Sequence, residues 1–130
     1  MGKIVIPYSS LVISPGPLAL ASPWLYDAPM GLTHISMTVS NPADESRQAT
    51  VPQVLVDTGS ELTWLPAAIL QDIGIHPKKT RRFILADRRE LIRSVGFALL
   101  SHLQFNTVDE VVFAEPTDML LLGARTLEGF

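Results

Sequence analysis

Short apolar stretches separated by Gly, Pro and polar turn residues run through most of this chain. Residues 30–40 alternate loosely through Leu32, Ile35, Met37 and Val39, with His34 out of phase, and predict a first strand. Residues 41–47 (Asn-Pro-Ala-Asp-Glu-Ser-Arg) predict a polar turn, and residues 50–56 a returning strand. Residues 61–65 lead away from that strand. Pro66 then opens a short helix over residues 67–72, which Gly74 closes, with Pro in the first turn and Gly just past the end. Residues 81–95 predict a hairpin: Phe83-Ile84-Leu85 goes out, Asp87-Arg88-Arg89 turns and Leu91-Ile92 returns. Further strands are predicted over 96–103 and 108–114, with Asn106 and Thr107 between them. A loop follows at 115–118, then a last core strand over 119–122 and a short helix from Ala124 to Glu128. The pattern predicts a mostly-β, closed or nearly closed fold with one or two short helices.

Residues 1–29 differ in character. Ile4-Val5-Ile6 and Leu11-Val12-Ile13 are strand-like, but Pro7, Pro15, Pro17, Pro23 and Pro29 break everything around them. The segment is expected to be a mobile or edge-pairing extension to a domain spanning 30–130. A secretory leader is the alternative, with Lys3 as its basic start and Ala19-Leu20-Ala21 as a cleavage site.

The 130 residues allow one domain, and 47% apolar content with a mean hydropathy of +0.27 can fill a core. A net charge of −3 leaves no electrostatic footprint for nucleic acid. Lys78, Lys79, Arg81, Arg82, Arg88, Arg89 and Arg93 do cluster, and are expected to form a solvated hairpin face rather than a site for phosphate or acidic substrates. No apolar run approaches the length of a membrane span. The absence of cysteine excludes disulfides, thiol nucleophiles and Cys-type zinc sites, and fits a cytoplasmic location, with export the alternative. His34, His76 and His102 lie too far apart to suggest a metal site, and no serine lies in a Gly-x-Ser-x-Gly setting. No cofactor is expected.

One stretch concentrates the chemistry. Val54-Leu55-Val56 is a continuous apolar run, as in a strand buried on both faces, and it leads directly into Asp57-Thr58-Gly59-Ser60. A carboxylate at the end of such a strand is costly unless hydrogen-bonded, paired or used. An ordinary Asp-Thr-Gly turn would read the same way on these residues alone. A second such run, Met119-Leu120-Leu121-Leu122, ends in Gly123 roughly sixty residues downstream.

These stretches, with Trp64-Leu65-Pro66, Val95-Gly96-Phe97-Ala98, Val111-Val112-Phe113-Ala114-Glu115 and Thr126-Leu127-Glu128, resemble the retropepsin-like aspartic proteases, above all their small single-domain prokaryotic members. The resemblance covers roughly residues 30 to 130. It implies a closed β-barrel of the acid-protease fold that works as a homodimer. Each subunit would supply one Asp57 to a catalytic pair that activates water against a peptide bond. Thr58, Gly59 and Ser60 would support the pair, and Leu121, Leu122 and Gly123 would form a structural motif of the fold. Leu85, Ala86, Asp87, Arg88 and Arg89 would form the flap over a peptide or protein substrate. Glu61 would pair with Arg125 in the last helix, and Trp64 is expected in the core.

The chain departs from the family at two places. Arg88 stands where related flaps usually carry Gly, and because Arg tolerates positive φ poorly the turn is expected to be of another type. The resemblance ends at Phe130, where relatives usually continue into a further strand of the dimer interface. The apolar runs at Ile4-Val5-Ile6 and Leu11-Val12-Ile13 are expected to substitute for it. A catalytically weak or inactive dimer that binds peptides or regulates a partner is the alternative function.

Overall fold

The computed structural model describes residues 4–6, 33–85 and 87–130, with residues 4–6 as backbone only. Eight strands carry most of the described chain: β1 (Ile4–Ile6), β2 (His34–Asn41), β3 (Asp44–Val56), β4 (Thr63–Pro66), β5 (Lys79–Leu85), β6 (Glu90–His102), β7 (Phe105–Ala114) and β8 (Leu121–Leu122). Two short helices complete it, α1 (Ala67–Asp72) and α2 (Ala124–Gly129). The mostly-β reading with two short helices holds. The strands pair in the order β1-β5-β6-β2-β3-β8-β4-β7, and a long β6–β7 ladder joins the end of this order back to β6. Six strands thus close into a ring, with β5 and β1 added along the side of β6.

Side chains on a strand alternate between its two faces, and here both faces of the central strands are buried. Val54, Val56, Leu65, Val111, Phe113 and Leu122 join one apolar cluster with Met37, Val39, Leu70 and Leu100. Their neighbours Leu55, Trp64, Val112, Ala114 and Leu121 join a second with Leu62, Phe83, Leu85 and Val95. This is why the apolar runs are unbroken by polar residues. Trp64 is core, as expected, with its ring 4.9 Å from that of Phe83.

Helix α1 ends as the sequence predicts. Gly74 takes φ 85°, its N–H donates to Gln71 O, and the Ile75 N–H reaches back to Leu70 O. This crossed pair of bonds satisfies the last carbonyls of the helix and needs the left-handed residue that Gly supplies most cheaply.

Several boundaries differ from expectation. The polar turn at 41–47 contracts to Pro42-Ala43, and Asp44 to Arg47 are already strand, with Asn41 paired to Asp44. Their side chains face solvent, so a polar sequence is compatible with extended backbone there. A bulge lies between Ile35/Val54 and Met37/Val51, where Gln53 has φ 61° beside Pro52. It lets Pro52 and Gln53 stay exposed while Val54 to Asp57 enter the core. Asn106 and Thr107 pair within β7, and the chain turns instead at Leu103-Gln104, with Leu103 at φ 55° and 80% exposed. The last core strand shortens to Leu121–Leu122, although Leu120 O still accepts from Leu55 N–H. Ile4–Ile6 runs parallel to β5 of its own chain, opposite Phe83 to Leu85. The run Leu11-Val12-Ile13 lies outside the described residues.

The β5–β6 hairpin corrects the expectation for its turn. The Arg88 N–H donates to Leu85 O, the Leu85 N–H donates to Arg89 O, and Arg88 itself takes φ 71°. This is a three-residue hairpin loop whose last position is left-handed. The conformation usual for Gly is therefore kept, with Arg in it. An L-residue in this region costs roughly 1–2 kcal/mol, whereas Gly there would lose about 0.4–1 kcal/mol through the entropy of the unfolded chain. The first term is larger, so Arg88→Gly is expected to raise the unfolding free energy by about 0.5–1 kcal/mol. Urea denaturation checks this: the midpoint should rise at unchanged slope, and a lower midpoint would contradict it.

Candidate functional site

The turn from Asp57 to Leu62 joins β3 to β4, and β8 lies between these two strands. Leu55 and Val56 pair in parallel with Leu121 and Leu122, while Trp64 pairs antiparallel with Leu121. The two sequence signals, Val56-Asp57-Thr58-Gly59 and Leu121-Leu122-Gly123, are thereby side by side. Four backbone bonds bind the turn and the residues leading into it to this region. Leu55 N–H donates to Leu120 O and Asp57 N–H to Leu122 O, while the Ala124 and Arg125 N–H groups of α2 donate to Ser60 O and Glu61 O. Within the turn the Ser60 N–H closes onto Asp57 O. Gly123 is required at the crossing: a Cβ there would lie 2.5 Å from Leu62 O and 2.7 Å from Glu61 O.

Asp57 is 3% exposed. Its Oδ1 accepts the Gly59 N–H at 2.9 Å, and its Oδ2 is buried with no hydrogen-bond partner among the described residues. Burial disfavours the charged form and outweighs the opposing Gly59 bond, so the carboxyl is pushed up to about 6. Ser60, also buried, donates to Leu62 O at 2.8 Å and stiffens the turn rather than touching the carboxyl. Thr58 and Gly59 are half-buried next to Asp57.

Beneath the turn runs a buried chain of hydroxyls that sequence reasoning missed. The Gly123 N–H donates to Thr63 Oγ1 at 2.9 Å, Thr63 Oγ1 and Thr126 Oγ1 are 2.6 Å apart, and Thr126 Oγ1 donates to Asp109 Oδ2 at 3.1 Å. With one proton per hydroxyl, Thr63 must donate to Thr126, so every step points toward the Asp109 carboxylate. The available signal was Asp109-Glu110 directly before the apolar run Val111 to Ala114, a pair that must find partners if buried. The expected Glu61–Arg125 pair exists at 4.0 Å with both side chains about half exposed, a geometry of small energetic weight. Arg125 lies nearer to Asp109, at 3.4 Å, and 3.8 Å from Glu110. The backbone bonds, more than this ion pair, hold α2 to the turn.

The basic cluster is not simply a solvated face. Arg81 grips Glu110 with two bonds of 2.6 and 3.1 Å, and Arg93 grips Asp118 with two of 2.7 and 2.9 Å. Both guanidiniums are largely buried. The bond from Arg81 holds the Glu110 carboxyl below its usual range. Of the expected flap residues, Leu85 is core, Asp87, Arg88 and Arg89 are exposed at the hairpin end, and Ala86 lies outside the described residues. The aspartates 109, 118 and 87 are engaged by Thr126 and Arg125, by Arg93, and by Arg89 respectively. None of them is a second carboxylate for Asp57. Among the described residues no group of three or more His, Cys, Asp or Glu side chains is placed to hold a metal ion, and no helix is long and apolar enough to cross a membrane.

No protein-family model matches the chain, and no curated protein matches it. The site's own chemistry therefore carries the functional reading: a desolvated carboxyl, fixed by backbone on both sides of its turn, with one oxygen unpartnered.

The raised Asp57 carboxyl has a consequence for stability. A carboxyl whose folded value lies above its unfolded one favours the folded state at low pH and disfavours it once both states are ionised. The penalty is absent below about 3.8 and complete above about 6. Asp57→Asn should therefore be more stable than wild type at pH 7–8, by on the order of 1 kcal/mol after allowance for solvent screening. The difference should shrink as pH falls through that window. Denaturation midpoints of the two proteins from pH 3.5 to 8 check this, and a constant difference would contradict it.

Proposed function

We propose that this protein is an aspartic endopeptidase of retropepsin-like fold. Its active form is a homodimer in which Asp57 of each copy faces the other across a two-fold axis. The observation that carries this reading is the buried, unpartnered Asp57 Oδ2 at the end of a strand whose turn is clamped to Leu122, Gly123 and α2. A structural aspartate in such a place would be expected to have its second oxygen satisfied, as those of Asp109 and Asp118 are.

Two carboxyls brought together in a dry site share one proton, because like charges at short range do not both ionise. The ionised member takes a proton from a bound water, whose oxygen attacks the peptide carbonyl carbon. The protonated member gives its proton to the carbonyl oxygen. In the resulting tetrahedral diol, one carboxyl then protonates the amide nitrogen as the C–N bond breaks, and the other takes a hydroxyl proton as the new carboxyl forms. No covalent enzyme intermediate arises. The Gly59 N–H on Oδ1 orients each carboxyl so that the attacking and donating oxygens are set before substrate arrives. In this reading Thr58 supports the pair from the partner-facing side, and the β5–β6 hairpin covers an extended peptide. A two-fold axis explains why one chain carries a single Asp-Thr-Gly: the same surface of a second copy supplies the other.

Cleavage of a peptide library by wild type and by Asp57→Asn, from pH 4 to pH 7, tests the activity. Wild type should cut with an optimum on the acid side, Asp57→Asn should lose at least about 100-fold in rate, and specific activity should fall as wild type is diluted. Equal cleavage by both proteins would contradict the proposal.

A further inference from the structure

The β5–β6 hairpin and its flanks hold most of the chain's cations, and the structure sorts them by partner. Arg81 and Arg93 are locked to Glu110 and Asp118. Arg82 lies 3.3 Å from Glu90, and Arg89 lies 2.7 Å from Asp87. Away from the hairpin, Arg47 donates to Asp72 O and Arg125 sits among three carboxylates. The described residues include all seven arginines. Among them only Arg88 has a side chain with neither a hydrogen bond nor an ion pair among the described residues.

Arg88 is also the residue held at φ 71°, in the loop position that Gly fills at least cost. Strain and an unneutralised charge thus fall on one side chain, next to another arginine. Gln53 and Leu103 share this left-handed backbone, but of the three only Arg88 brings a charge to it. An observed outlier of this kind points to a use for the side chain. A guanidinium offers a planar fork that matches a carboxylate. Beside a pair of active-site carboxyls, a peptide with acidic side chains would be repelled unless a cation faced it.

We propose that Arg88 is a specificity-determining residue whose guanidinium takes an Asp or Glu side chain of an extended peptide bound beneath the hairpin. This inference rests on the endopeptidase reading and names its substrate class: peptides with an acidic residue at one fixed distance from the cleaved bond.

The test uses a cleavable peptide re-synthesised with Glu or Gln at each position in turn, on wild type, Arg88→Lys and Arg88→Gly. Wild type should prefer Glu over Gln at one position by about 10-fold in kcat/KM. Arg88→Lys should keep part of that preference, and Arg88→Gly should bring the ratio close to one. The preference should also shrink between roughly 0.05 and 0.5 M salt, as an exposed charge contact does. A folded Arg88→Gly, verified by its denaturation midpoint, that keeps the full preference overturns the proposal. So does a wild type that cuts Glu and Gln peptides alike at every position, which leaves the endopeptidase reading standing. If wild type cuts no peptide at all, the endopeptidase reading fails and this inference fails with it.

Discussion

Everything at this site depends on keeping one carboxyl dry and fixed. A buried carboxylate is among the most expensive groups a fold can carry, and among the described residues Asp57 has only the Gly59 N–H against that cost. Such a group persists only where the backbone around it cannot relax. Here β8 enters between β3 and β4, so the turn between those strands is held from its far side by Leu122 O, Gly123 and the first N–H groups of α2. Gly123 lies against the Leu62 and Glu61 carbonyls, closer than any side chain would permit. The unpartnered oxygen is the outcome of this arrangement, and it is the feature with chemical potential.

Polar groups below the turn show the opposite treatment. Thr63, Thr126 and Asp109 form a directed relay in which each donor finds its acceptor, ending on a carboxylate that Arg125 approaches. Glu110 is neutralised by Arg81 in the same layer. A satisfied buried network stiffens its surroundings, and this one underlies the same Gly123 crossing that holds the turn. Asp57 differs from these carboxylates in keeping one buried oxygen without a partner among the described residues.

Much of this was legible in the sequence. The unbroken runs Val54-Leu55-Val56 and Leu121-Leu122 correctly read as strands buried on both faces, and Pro66 and Gly74 bracket α1 as written. The adjacency of the two runs was not legible, because spacing alone does not give the pairing of β8 with β3 and β4. Turn positions were less legible. Asp44 to Arg47 are polar yet extended, since an exposed strand edge accepts polar side chains. Leu103 and Arg88 adopt left-handed backbone that their residue types argue against. Long-range partners were the least visible: Arg81 with Glu110 and Arg93 with Asp118 join residues 29 and 25 positions apart, and only the β5–β6 and β6–β7 ladders and the loop before β8 bring them together.

The two-copy site is the claim on which the function turns, and subunit mixing tests it most directly. Wild type is equilibrated with increasing Asp57→Asn, and cleavage is measured per wild-type chain. A site built from one Asp57 of each copy predicts that mixed pairs are inactive, so a tenfold excess should leave roughly a tenth of the original activity if copies exchange freely. Activity that does not change with added Asp57→Asn, while mixed dimers are shown to form, would mean that one chain holds the whole site, and would contradict the account.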